Sequence, residues 1–585
     1  MTHDEVMIVR VGAVVSRGCV PTWVTLLFED LASLHGLHLV GVWVSVGDQV
    51  GGDRPTRLRG PAATLTRLDE RLFGKRAALL SPVDPKSWAG AHGVGFHVLR
   101  GAGQTSGHTR AVTEHAPVAD VIIDFSGGEG LMVPSDMAGS ALWWLRGLPA
   151  APVATSAIWP DVVGAVLDRV PAVSFELCAR APGRSHALRL LKVTCPTHQS
   201  SPLMTCVHLA ASARQLIVEK LKYATPHSLR QEAASAPLGS VATHAVDDQY
   251  PAVSGRSPSA RPLRPATAEG LRLVPGHYAR MAVARARNAV VERQWRLLLG
   301  RQTPSTLLPD PRRLRVLTPP PGRYWADPFP VVFEDRTHVF FEEYLHAQKR
   351  GRIAVMTLDE HGDPGSETTA LELETHLSYP CVFEHRGRLY MIPENARSGR
   401  LDLYECVDVP ARWAFRRTLV SGTPLVDASV VEWGGLWWMF ASLRSLTGSR
   451  TSDLLLLYGA DDPVLGTWFR HPMSPILADV SNARPAGAPF VNEGRLYRLA
   501  QDGARGYGWG IVVNEVQVLT SSAYVERRVA DVGPTWSKRL CGTHTLNRAG
   551  DTVAMDACYY VLRGDRRWQS KTAVRPDVPR EDGSG

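Results

Sequence analysis

Five residues able to do chemistry open five similar stretches in the second half of the chain: Asp327, Tyr379, Asp427, Arg484 and His544. Behind each comes an apolar run, a tight turn and a second apolar run. That second run ends on further polar groups: Glu342 and Glu343, Glu394, Gln501 and Asp502, and Asp556. Brought together, these residues would combine carboxylates that exchange protons, an arginine that holds an anion and a histidine that titrates near neutrality. Such a set suits acid–base work on a polar ligand. Taken singly, an Asp ahead of a strand more often accepts turn amides. The recurrence in register is what points to a pocket.

The elements that would carry these residues are short strands. The stretches begin at 327, 379, 427, 484 and 543, and so lie 52, 48, 57 and 59 residues apart. That period suits a four-stranded propeller blade better than a solenoid turn. Third strands are visible at RIAVMTL (352–358), LDLYECV (401–407), LLLLYGA (454–460) and IVVNEVQVL (511–519). The pattern predicts an all-β five-bladed β-propeller over 310–565. The first strand of each blade starts beside the central channel, so the opening residues should converge there. Asp327, Glu394 and Asp427 are the acid/base candidates. Glu343, Tyr379, Arg484, Gln501, Asp502 and His544 are the binding candidates, with Arg484 suited to a phosphate or uronate.

The first part of the chain has a different texture. MIVRVGAVV (7–15), a helix-like spacing from Pro21 to Leu34, then LHLVGVWVSV (37–46) and VADVIIDFS (118–126) predict a βαβ unit with a parallel sheet. TCVHLAASARQLIVEKLK (205–222) should close this α/β domain as a helix, giving a domain over 1–225. Residues 226–272 are rich in Ala, Ser, Pro and Arg and read as a disordered linker. A helical connector is expected over 273–309, its helix spanning 275–299, and a disordered tail over 566–585.

Composition narrows the function classes. The chain has 585 residues, 44% of them hydrophobic and 21% charged, which suits two or three globular domains. Its net charge of +8 is spread thinly, with no basic run longer than a pair such as Arg312-Arg313, so nucleic acid is not an expected partner. None of the eight cysteines forms a CxxC pair, and no His pair beside a Glu has zinc spacing. SGGEG (126–130) lacks the lysine of a phosphate-binding loop. The expectation is therefore no metal and no cofactor. The start of the chain is acidic, not signal-like, and nothing is long and apolar enough for a membrane span. These features predict a cytoplasmic protein.

Seven short motifs then occur in order: ADPF (326–329), FFEEY (340–344), LSYP (377–380), MIPE (391–394), ARPAG (483–487), AQDGARGYGWGI (500–511) and GTHT (542–545). Together they resemble the propeller domain found N-terminally in plant glucosamine inositolphosphorylceramide transferases and in many bacterial proteins. The resemblance implies a propeller that recognises or processes a carbohydrate in glycoconjugate or secondary-metabolite assembly. The plant enzymes carry their transferase domain beyond the propeller, and none is expected in the twenty residues after 565. A sugar or glycoconjugate is the implied ligand, and a separate glycosyltransferase the implied partner of a non-catalytic scaffold. On this reading Trp437 and Trp438 could stack on a sugar face or fill a blade interior.

More distantly, the blades and the Ala326-Asp327-Pro328 tripeptide resemble glycosidase propellers such as arabinanases and invertases, which work with carboxylates from successive blades. Asp327 matches their first-blade Asp, Tyr379 departs from the pattern, and Asp427 or Glu394 could substitute. The α/β domain resembles, through VADVIIDFSGGEG (118–130), the N-terminal domain of formyltransferases that modify amino sugars or methionyl-tRNA. The Asn-x-His pair those enzymes use is missing from SALWWLRGLPAAP (140–152), so the resemblance implies a degenerate domain kept for docking or ligand binding, with N-formyl transfer to an amino sugar only a third expectation.

Overall fold

The structure, a computed structural model, describes residues 8–16, 19–46, 61–73, 78–100, 118–125, 140–148, 160–181, 187–229, 268–303, 306–395, 397–446 and 454–564. SGGEG, most of the expected linker and the expected tail lie outside them. The chain divides into two compact units that meet near residue 281 of the sequence.

In the first unit Val9–Ser16, Leu37–Val46, Phe96–Arg100, Val121–Asp124 and Ala141–Arg146 pair in parallel. Ala172–Arg180 and Leu188–Pro196 continue the sheet antiparallel. The parallel strands are apolar along nearly their whole length because helices cover both faces of such a sheet. Thr22–Ser33 supplies the first crossover. Pro202–Leu221 packs with a capped start: Ser201 Oγ accepts the Met204 amide, and Asp69 accepts the Leu203 amide at 2.7 Å. The Ala141–Arg146 strand buries Trp143 and Trp144. No helix of the described residues is long and apolar enough to cross a membrane.

The second unit is mostly strand and propeller-like. Its first blade is Arg323–Phe333, Arg336–Leu345, Arg350–Thr357 and Thr368–Leu371. The second is Ser378–His385, Arg388–Glu394, Arg400–Asp408 and Arg412–Ser421. In the third, Leu425–Trp433, Leu436–Leu443 and Leu454–Ala460 lead to the short strands Phe469–Arg470 and Leu477–Asp479. The fourth is Phe490–Asn492, Arg495–Asp502, Gly510–Leu519 and Tyr524–Val532.

The expectation of five like blades is corrected at this point. Four blades are built from consecutive strands, and the fifth hairpin, Leu546–Ala549 with Thr552–Leu562, does not continue into strands of its own. It joins a five-stranded closing sheet, in which Thr552–Leu562 pairs along its whole length with Val291–Arg301, followed by Arg315–Leu317. Strands from the two ends of the unit thus share one sheet and cover edges that would otherwise stay open.

The same pairing corrects the expected helix over 275–299. The helix Ala268–Val290 ends where the strand Val291–Arg301 begins. Leu297 and Leu299 pack with Trp325 and Phe341 of the first blade, while Leu298 packs with Ile511 and Val513 of the fourth. Alternate residues therefore fill opposite faces, as only a strand allows. Each fully buried leucine contributes about 2 kcal/mol, more than local helix preference can offset.

Candidate functional site

Asp327, Tyr379 and Asp427 occupy the same point in the first strands of three blades. Each has left-handed backbone, with φ of 53°, 44° and 51°. The strand register slips there in all three blades, between Ala326 and Phe329, Ser378 and Cys381, and Val426 and Ser429. Residues other than glycine rarely hold this conformation, and a bulge re-aims the side chain it carries. One local device repeated in three blades delivers these three side chains to a common centre.

The centre is a connected polar network. The Asp327 carboxylate accepts from Thr545 Oγ1 at 2.8 Å and from the Tyr379 amide at 3.2 Å. The Asp327 amide donates to Asp556 at 3.2 Å, and Asp556 also accepts the His544 and Thr545 amides. His544 Nδ1 lies 2.5 Å from Asp556, and its Nε2 lies 3.8 Å from Asp327. Trp295 stacks on the His544 ring at 4.1 Å, and Tyr507 meets it edge-on at 5.4 Å. Gly508 permits this: a Cβ there would lie 2.8 Å from the Trp295 ring, and its φ is +68°.

On the other side, Arg484 Nε donates to Asp427 at 2.5 Å, and Arg484 Nη2 reaches Glu394 at 3.5 Å. Gln501 donates to the same Asp427 oxygen at 2.9 Å. A hydrogen bond joins Glu394 to Asp427. Glu394 and Arg484 keep side-chain exposures of 11% and 13%, against 3% for Asp427, so a ligand would meet them first.

Electrostatics separates the carboxyls. Burial, then the charge of Asp427, pushes Glu394 well above the usual carboxylate range. Burial would raise Asp427 too, but Arg484 and the hydrogen bonds from Glu394 and Arg484 outweigh it and hold Asp427 below its ordinary value. The proton of this pair is therefore favoured on Glu394 and the negative charge on Asp427. Burial raises Asp327 to about 6, against the opposing pull of His544. Burial opposes charge on His544, yet Asp556 and Asp327 raise its pKa.

Two expected site residues lie outside this network, and a third has no free face. Glu343 sits on the face of its strand turned toward the closing sheet, held by Arg323 and Arg352 at 2.7 Å each and by the Trp325 indole. Its neighbour Glu342 instead accepts from the Tyr324 hydroxyl at 3.2 Å and lies 3.6 Å from His376. Asp502 caps a turn by accepting the Ala504 amide, while Gln501 alone of that pair reaches Asp427. Tyr379 is central but fully buried: its hydroxyl bonds Ser429 Oγ and accepts the Gly487 amide. Trp438 lies in the blade interior beside Phe440, and Trp437 packs on Phe383.

Sequence reasoning missed Trp295, Tyr507 and Thr545. The last two fall inside the quoted motifs, which was the available signal; Trp295 had none, because its strand read as helix. Asp327, His544 and Asp556 place ligand-type atoms within 4.8 Å of one another, a set able to hold a divalent cation. The hydrogen bond between His544 and Asp556 satisfies both without one.

Residues 317–540 match the family model described as glucosamine inositolphosphorylceramide transferase 1, N-terminal. The protein of that name from Arabidopsis thaliana is 34% identical over 212 residues, which are 36% of this chain and 28% of the relative. Its counterpart from Oryza sativa subsp. japonica is 35% identical over 209 residues, 35% of this chain and 28% of the relative. The chain thus spans little more than a quarter of the length of these relatives. Among solved structures, the catalytic domain of a GH62 α-L-arabinofuranosidase from Coprinopsis cinerea is 18% identical, with a TM-score of 0.31, covering 39% of this chain and 78% of that one. A family 117 glycoside hydrolase from Zobellia galactanivorans is 11% identical, with a TM-score of 0.30, covering 46% and 91%. Over residues 317–540 the chain is thus similar to the N-terminal part of the glucosamine inositolphosphorylceramide transferase 1 proteins.

Proposed function

We propose that the propeller-like unit is a carbohydrate-processing module that binds a sugar or glycoconjugate over Glu394 and Arg484. The relatives' name, a transferase of glucosamine and inositolphosphorylceramide, supports the ligand class. The observation that carries the reading is the split between Glu394, kept protonated, and Asp427, kept ionised beside it. On this reading Glu394 protonates a departing glycosidic oxygen, and Asp327 is the opposing carboxylate that activates the attacking group. Asp427 is a positioning residue that holds the Glu394 proton. It cannot itself be the opposing partner, because a hydrogen-bonded pair is closer than the roughly 5 Å that even a retaining mechanism requires.

A second reading follows from Arg484, whose contact with both acids leaves a neutralised floor suited to binding alone. The unit would then present a glycan to a separate glycosyltransferase. The compartment we propose is the cytoplasm, in keeping with eight cysteines left as free thiols. The test is turnover of glycosides and nucleotide-sugars by the full chain beside Glu394→Gln and Asp327→Asn. Turnover lost in both variants with ligand affinity retained supports the enzyme. Saturable binding with no turnover in the unaltered chain selects the scaffold.

A further inference from the structure

A pocket of about 510 Å³ opens in the same unit beside the polar centre. Arg287, Arg293, Arg505 and Arg563 line it, with Trp509 and Tyr560 as its aromatic walls. Glu292 is the one carboxylate of the lining, so the pocket carries a net charge near +3. Among the described residues none of the four arginines is ion-paired to a carboxylate within 4 Å. They are held by other means. Arg287 lies over the Tyr560 ring at 4.9 Å and Arg505 over the Trp509 ring at 5.2 Å. Arg293 donates to the Tyr507 and Cys541 carbonyls at 3.3 and 3.4 Å, and Arg563 to the Asn288 carbonyl at 3.1 Å.

Like charges gathered in one concavity repel each other, and here Glu292 offsets only one of the four. Stacking on aromatic rings and bonds to carbonyls fix each guanidinium in place while leaving other N–H donors unused. Planar forks with spare donors match phosphate oxygens. Four of them exceed what a single carboxylate needs. The pocket volume lies within the range for small-molecule ligands, and no basic stripe leads out of it as a nucleic-acid strand would require.

We infer that this pocket binds a compact phosphate-bearing ligand, a diphosphate or phosphomonoester with a ring attached. Tyr507 lines the pocket while its ring also meets His544 and lies 5.3 Å from the Arg484 guanidinium. A ligand anchored by its phosphate would therefore sit one aromatic side chain away from the carboxyl centre. The inference does not depend on what that centre does.

The experiment is isothermal titration of the full chain with inorganic pyrophosphate and with a nucleoside diphosphate at low salt. A parallel arm measures sedimentation with phosphatidylcholine vesicles with and without phosphatidic acid. Cys541 also lines the pocket, so its alkylation rate reports occupancy. The expected result is saturable binding that slows Cys541 alkylation and weakens about tenfold in Arg505→Ala and in Arg563→Ala, with unchanged melting temperature. Binding in solution identifies a free phosphate, and binding confined to phosphatidic acid vesicles identifies a lipid headgroup; either supports the site. No binding in any arm, or binding that neither variant weakens and that leaves Cys541 equally reactive, overturns it.

Discussion

Arg484 Nε donates to Asp427 at 2.5 Å, and this contact joins the opening residue of the third blade to the segment that leads into the fourth. The pair is almost wholly withdrawn from water, so the two charges depend on each other. Replacing Arg484 by Met would leave Asp427 buried with only Gln501 and Glu394 as partners. A loss of about 3–5 kcal/mol in urea unfolding is expected. Asp427→Asn with Arg484→Met together should cost less than the two single changes combined.

Asp327 predicts a pH dependence. Its folded pKa, about 6, is above the unfolded value of 3.8, because burial disfavours the anion. Stability from this group is fully present below pH of about 4 and is lost as pH rises through about 6. The total is about 3 kcal/mol. Asp327→Asn should flatten that part of a stability–pH curve. If the proposed role holds, turnover should rise through the same window as Asp327 ionises.

Glu343 separates framework from site. With Arg323 and Arg352 both bonded to it, Glu343→Gln should destabilise the unit by about 2–4 kcal/mol. Ligand affinity of the fraction that remains folded should be unchanged. Chemical unfolding paired with titration checks both halves.

Cys541 and Cys558 face one another with sulfurs 3.1 Å apart. A hydrogen bond from Cys558, then the Arg293 charge, brings the Cys541 thiol down to about 7, while burial raises Cys558 well above the usual thiol range. Iodoacetamide at pH near 7 should therefore label Cys541 at least about a hundredfold faster than Cys381, whose thiol burial raises to about 12. Peptide mapping by mass spectrometry reads the ratio, and Arg293→Ala should reduce it.

The closing sheet gives a fragment test. A fragment beginning at 282 retains Val291–Arg301 and should give a cooperative thermal transition. One beginning at 310 lacks the strand that pairs with Thr552–Leu562 and should be protease-sensitive throughout.

Much of this protein was legible from residue order alone. Alternating apolar runs split by turns near Gly387, Gly434 and Gly494 determine hairpins, because side-chain period and turn chemistry are local properties. Their recurrence every fifty or so residues implied blades, and the residues opening them, Asp327, Asp427, Arg484 and His544, do meet at one centre. What tertiary structure decided was parity, pairing and environment. Whether Glu342 or Glu343 faces a given neighbour turns on a one-residue register, which a run of two acids leaves open. Val291–Arg301 became a strand through a partner more than 250 positions away, and the same pairing brought Trp295 onto His544. The sequence shows that Glu394 and Asp427 are both acids. Only their burial around Arg484 favours the proton on one and the charge on the other, because a pKa is set by the field and dielectric of everything packed nearby.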